Sequence, residues 1–421
     1  MGLKSLSSTV AALFFAATGP AFEPVATFQA SKILPAEIVK GPHHTVSEEV
    51  KAEGFYQQFH VVSDFGDIDV EGRTMLRTRV SEIDAIARLS EVSRGEVFAK
   101  AAGGAVLHVG KGVVSVITEP VATAKGIGGG LNRFGVNLGR KAKRAANSAT
   151  KDDKKPEGPE RTKKAKALDA AGGAANSVLG VNGAARRWAE KLRVDPYTTN
   201  PLLHQALVDV GKIDAAGSIV TRVALPIPAL VSTTATVGGL VWGADPEELR
   251  KTNEARLAEL GASKEVAARY LINGNYTLTS QTRFIAALHA VKVKGCDDYV
   301  DAASEASSER EALFFVESAE MLAGLHQDVA VSRILPDSRA MVARVGTRAV
   351  ALFPFDWVRW TEELQSSAIE MAARAKRELG AKTLEMRVSG ATSRSANVGL
   401  LAAGWTVTDG VVAGLGVRPP D

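Results

Sequence analysis

Between Gly135 and Arg187 the chain has no aromatic residue, and inside that span it runs through KDDKKPEGPERTKK, Lys151 to Lys164. A stretch with few large apolar side chains, dense charge and two prolines buries too little surface to offset the entropy of ordering it. It therefore divides the 421 residues into separate bodies, with a flexible linker expected over 147–180. The segment from Arg133 to Lys166 holds twelve Lys or Arg against four acids, a surplus of eight positive charges; with a whole-chain charge of +4, the remainder carries −4. A basic block on a mildly acidic body is drawn to anionic surfaces. Specific nucleic-acid binding is not expected, because single strands are gripped by aromatic stacking, and phosphate contacts alone do not select sequence.

Just before the linker, Val97 to Ala146 is rich in small and β-branched apolar residues and ends in a basic tail. Lys100, Lys111, Glu119, Pro120 and Lys125 interrupt it too often for a membrane span, which needs roughly 20 predominantly apolar residues. Seated on a membrane, Val106, Leu107, Val109, Val113, Val114, Val116 and Ile117 would enter the interface, while Arg140, Lys141, Lys143 and Arg144 would each add about 1 kcal/mol at an anionic surface. The competing expectation packs the same apolar residues against the preceding helix. Phosphate motifs fail here. A P-loop would need Gly where Ala105 stands and Ser or Thr where Gly112 stands, and a dinucleotide fingerprint begun at Gly126 meets Leu131 at its third glycine.

The phrase GKGVVSVITEPVATAKGIGGG, within residues 97–130, resembles in composition the Gly/Val/Lys-rich segments in front of toxin domains of bacterial polymorphic-toxin proteins. That likeness implies an exported effector as one reading. The fuller chain resembles uncharacterised exported proteins of proteobacteria that have no assigned activity; the periplasmic or cell-envelope location we expect follows from the N-terminal pattern below.

Residues 1–21, MGLKSLSSTVAALFFAATGPA, have a lysine near the start, an apolar run and small residues at a cleavage position, the pattern of a secretory signal peptide cut after Ala21 or Ala26. Cys296 stands alone, so no disulfide within one chain is available.

The remaining pattern predicts an α+β protein, mostly helical. Over 22–146 we expect a hairpin at Gly54–Gly72 turning at Ser63-Asp64-Phe65-Gly66, then a long helix from Arg73, with Arg77, Arg79, Glu82 and Arg88 on the face away from its apolar stripe. Residues 181–328 read as successive helices, for instance one opened by Asp245-Pro246 and closed by Gly261. Residues 329–421 read as a small α/β unit: a strand pair about Gly346-Thr347, a helix capped by Thr361 and stopped by Gly380, then strand, helix and strand. The uncharged run Val223–Trp242 reads as a buried or surface-seated connection because of Pro226 and Pro228.

No catalytic, metal or cofactor signature emerges. The seven histidines lack ligand spacing, and Asp64, Asp67, Asp69 and Glu71 lack the calcium-loop pattern and read as a solvent face. No Gly-x-Ser-x-Gly elbow is present, and acids beside Cys296 oppose thiolate formation. One loop, Ser389-Gly390-Ala391-Thr392-Ser393, lies between a strand and a helix start and offers Ser389, Gly390, Thr392 and Ser393 as an anion loop, unless Thr392 or Ser393 simply caps the helix. The expected function is a non-catalytic exported envelope protein touching an anionic membrane or an envelope partner. An enzyme with its site in the C-terminal unit is the alternative.

Overall fold

The structure, a computed structural model, describes residues 20–92, 183–215 and 240–411. Residues 1–19 of the expected leader, the segment Val97–Ala146 with Arg140, Lys141, Lys143 and Arg144, the expected linker over 147–180, and all of Val223–Trp242 except its last three residues lie outside the described residues.

The fold is mixed helix and sheet. It opens with β1 (Ala26–Gln29), the single turns α1 (Ala30–Ile33) and α2 (Ala36–Val39), and strands β2 (His44–Val46), β3 (Glu49–Glu53), β4 (Tyr56–Ser63) and β5 (Ile68–Glu71). All pairings are antiparallel: β4 takes β3 and β2 along one edge and β5 along the other, and β1 extends the sheet beyond β3. β3 and β5 alternate buried and exposed positions, the period expected of a sheet with one wet face. On its dry face lies α3 (Arg73–Val92), whose Met75, Leu76, Val80 and Ile83 fill the core with Val50, Phe59, Val61 and Val70.

The charged side of α3 is a correction. Arg79 and Glu82, expected to face solvent, are buried, because chain from residue 183 onward packs over them. That chain is α4 (Gly183–Leu192) and α5 (Pro201–Ala215), which with Ala85, Ile86 and Leu89 of α3 enclose a second core around Trp188, Leu207 and Val210. Asn200 caps α5, its side-chain carbonyl accepting from the Leu202 and Leu203 amides, with Pro201 at the first helical position.

Five helices follow: α6 (Pro246–Glu259), α7 (Lys264–Leu271), α8 (Leu278–Val291), α9 (Cys296–Ala303) and α10 (Glu309–Asp328). Asp245, Ser263, Thr277 and Ser308 cap four of them with side-chain oxygens. Next come β6 (Arg333–Ile334), β7 (Met341–Val345), β8 (Arg348–Phe353), β9 (Trp357–Val358), α11 (Glu362–Leu379), β10 (Thr383–Val388), β11 (Ala391–Thr392), α12 (Arg394–Ala402) and β12 (Trp405–Thr408). The sheet order is β12-β10-β8-β7-β6, parallel across β8, β10 and β12 and antiparallel elsewhere, while β9 and β11 form a separate parallel pair. β8 is buried from Ala349 to Phe353 without alternation, since α10 and α11 both pack against it. One apolar cluster joins Phe55 and Tyr56, the helices from Leu257 onward, and this sheet as far as Trp405. The boundary expected at 328/329 thus marks a change of secondary structure within a shared core.

Candidate functional site

In open sheets with parallel strands, ligands sit beyond the carboxyl ends of the strands. Here that crest comprises the chain after β8 (Phe355, Asp356), after β10 (Ser389 to Ser393) and after β12 (Asp409).

The anion loop does not offer the free amides that reading requires. The Ser389 amide donates to Phe353 O (3.0 Å), Gly390 to Phe355 O (2.8 Å), Ala391 to Asp356 O (3.1 Å) and Ser393 to Val358 O (2.8 Å). The Thr392 amide and hydroxyl donate to the Asp409 carboxylate, at 2.9 Å from the amide to Oδ2. Ser393 caps α12 by accepting from the Ala396 amide, and its hydroxyl donates to Glu23 Oε2. Two carboxylates of the chain thus stand where an external anion would. Gly390 is needed for close backbone approach, since a Cβ there would lie 2.0 Å from Asp356 O.

Asp356 points the other way, into the N-terminal sheet. Its Oδ2 accepts from the amides of Gln57 and Arg73, both at 3.1 Å, so a residue of the crest stands at the N-terminus of α3. Asp356 and Trp357 amides in turn donate to Phe55 O, and Phe55 stacks on Phe355 with ring centres 4.1 Å apart. Burial pushes the Asp356 carboxyl up to about 6, against the opposing pull of the Gln57 amide, Arg73 and Arg310. Beside it the Arg310 guanidinium lies 4.1 Å from the centre of the Tyr56 ring and pairs with buried Glu317. Burial would lower the Arg310 pKa, yet Glu317 and its other neighbours hold it above the ordinary value. Among the described residues, Arg310 Nε and Glu317 Oε1 are buried without a hydrogen-bond partner. Gly72, at φ +94°, leaves room for this guanidinium, since a Cβ there would meet Arg310 Nη1 at 2.9 Å.

A second buried cluster surrounds Glu82. Its Oε1 accepts from the Thr198 hydroxyl, and its Oε2 from Arg79 Nη1 (2.9 Å) and Asn200 Nδ2 (3.1 Å). Arg79 Nη2 donates to Thr199 Oγ1 (3.0 Å) and Glu309 Oε2 (3.2 Å), and the Thr199 hydroxyl to Glu309 Oε1 (2.9 Å).

Elsewhere the acids weighed for calcium are paired: Asp64 with His43 and Asp69 with His60, both at 2.8 Å, with Asp67 3.9 Å from His60. Among the described residues no three His, Cys, Asp or Glu side chains are grouped to hold a metal ion. Cys296 is buried, and burial first, with Asp297 adding, pushes its thiol up to about 11. Sequence reasoning missed Asp356, Gln57 and Glu23. The one available signal was an acid set among bulky apolar residues, Phe353-Pro354-Phe355-Asp356-Trp357, since a carboxylate in such company is buried and must find donors.

No protein family, curated protein or solved structure matches the chain.

Proposed function

We propose that this is a non-catalytic exported protein of the cell envelope, held peripherally at an anionic membrane surface. The observation that carries the reading is that the helices bearing Val92, Gly183 and Ala215 share one core. α3 meets the chain just before α5 at Arg79–Thr199, and its Val92 packs against the core that α3 shares with α4 and α5. Arg187, in the first turns of α4, meets Asp214 at the end of α5 (3.3 Å). Val92 ends α3, Gly183 begins α4 and Ala215 ends α5, the three helices that share the core around Trp188. Val97 is five residues beyond Val92, at most about 18 Å of extended chain, and the uncharged run from Val223 begins eight residues after Ala215, at most about 29 Å. Both apolar segments singled out in the sequence are thus joined by short stretches of chain to the ends of helices in that one group. The crest of the C-terminal sheet supports a non-catalytic role, because its polar groups bond to one another and to the N-terminal lobe. In this reading the N-terminal hairpin and its long helix carry the contact segment, and the small C-terminal α/β unit clamps the opposite end of that lobe.

Co-sedimentation of the whole chain with vesicles containing anionic lipid tests the proposal. Binding is expected to weaken between 0.1 M and 1 M salt, as the Debye length shrinks from about 10 Å to about 3 Å. It should weaken again when Arg140, Lys141, Lys143 and Arg144 are all changed to Gln. Failure to bind, or binding indifferent to both changes, overturns it.

A further inference from the structure

The N-terminal strap ahead of β1 is tied down at Glu23. Glu23 makes four hydrogen bonds to the C-terminal unit: its amide donates to Trp360 O (2.8 Å), its carbonyl accepts from Arg359 Nη1 (2.6 Å), and its Oε2 accepts from the Trp360 amide (2.7 Å) and the Ser393 hydroxyl. The carboxylate lies at the N-terminus of α12, where the helix dipole favours negative charge. Three residues on, Ala26 opens the register of β1 against β3, facing Ala52. Ahead of Glu23, by contrast, Ala21 and Phe22 are exposed, Phe22 by about half.

A cut after Ala26 would remove Glu23, strip the Trp360 amide and the Arg359 guanidinium of these partners, and delete the first pair of the β1–β3 ladder. A cut after Ala21 keeps every one of these contacts. It also places small residues, Gly19 and Ala21, third and first before the bond, whereas the later cut would put Pro24 in the third position.

We infer that the chain is processed at the Ala21–Phe22 peptide bond, by a hydrolytic endopeptidase acting on the exported precursor, and that Glu23 then serves as the anchor of the mature N-terminus. Water adds across the C–N bond, leaving the carboxylate on Ala21 and the amine on Phe22. The inference rests on the export reading above.

The test is to produce the full precursor in a bacterium with an exporting envelope and weigh the N-terminal peptide of the accumulated protein. A start at Phe22 is expected, with Ala21→Arg leaving intact precursor. A start at Thr27 overturns the junction but leaves export standing; an intact Met1 in the wild-type protein overturns both. The anchor is read separately, by thermal melting of mature chain beginning at Phe22. Glu23→Ala should lower Tm by about 1–2 °C, the shift that corresponds to about 1 kcal/mol in a chain of this length. An unchanged Tm removes the role given to Glu23.

Discussion

The N-terminus of α3 is held by Asp356, a carboxylate supplied from 283 residues further along the chain, whereas its middle carries its own charges, Arg79 and Glu82, into the interior. The two solutions differ in completeness. Around Glu82, three donors occupy the two carboxylate oxygens, and Arg79 is shared among Glu82, Thr199 and Glu309. Around Asp356 the hydrogen bonds are backbone amides on a single oxygen, burial opposes its charge, and the neighbouring Arg310–Glu317 pair leaves Nε and Oε1 unmatched. A complete network fixes geometry and is costly to break, while an incomplete one is sensitive to protonation and to shape. The first cluster joins α3 to the chain around α5 and α10, and the second joins it to the C-terminal sheet.

The largest test of that contrast is Glu82→Ala. Removing the carboxylate takes the acceptor from Arg79 Nη1, the Thr198 hydroxyl and Asn200 Nδ2 and should cost about 3–5 kcal/mol by urea unfolding; a loss below about 1 kcal/mol would mean the network is not what holds α3. Gly390→Ala comes next. The added carbon collides with Asp356 O, so a loss of about 1–3 kcal/mol is expected, together with a weakened hold on the Gln57 and Arg73 amides seen as faster hydrogen exchange there. Thr199→Val removes the hydroxyl between Arg79 and Glu309 and should cost about 1 kcal/mol, the scale of a single net hydrogen bond.

The smallest change at low pH, and the sharpest distinction, comes from Asp356→Asn. Its folded pKa of about 6 lies above the ordinary carboxyl value of 3.8, so the folded state binds the extra proton between them. The stabilisation is full below about 3.8 and is lost as pH rises through about 6. The amide variant should match wild type within about 1 kcal/mol at pH 4, where Asp356 is already neutral, and remove this part of the decline above it. A wild-type curve with no such decline would contradict the burial argument.

Local elements were legible because their signals are local. Asp245-Pro246 opens α6, Thr361 caps α11 and Gly380 closes it at φ +65°, each readable from a few neighbouring residues. The burial of Arg79 and Glu82 was not, because helical periodicity reports only the strongest apolar face and says nothing of a second body packing on the opposite side. The fate of the Ser389–Ser393 loop was equally hidden. Its amides find partners at 353, 355, 356, 358 and 409, and no short pattern specifies that Glu23, 370 residues before Ser393, closes the set.

The placement of Asp356 at the start of α3 also orders events in time. A helix begun at Arg73 receives its capping carboxylate only after another 283 residues have been made. At roughly 5–20 residues per second, synthesis of that interval takes about 15 s to one minute. Through this delay the sheet that Asp356 clamps has strands but no lock, and Phe55 lacks the ring it stacks on. Until the last lobe arrives, the first therefore lacks these contacts at the start of α3 and on the Phe55 ring.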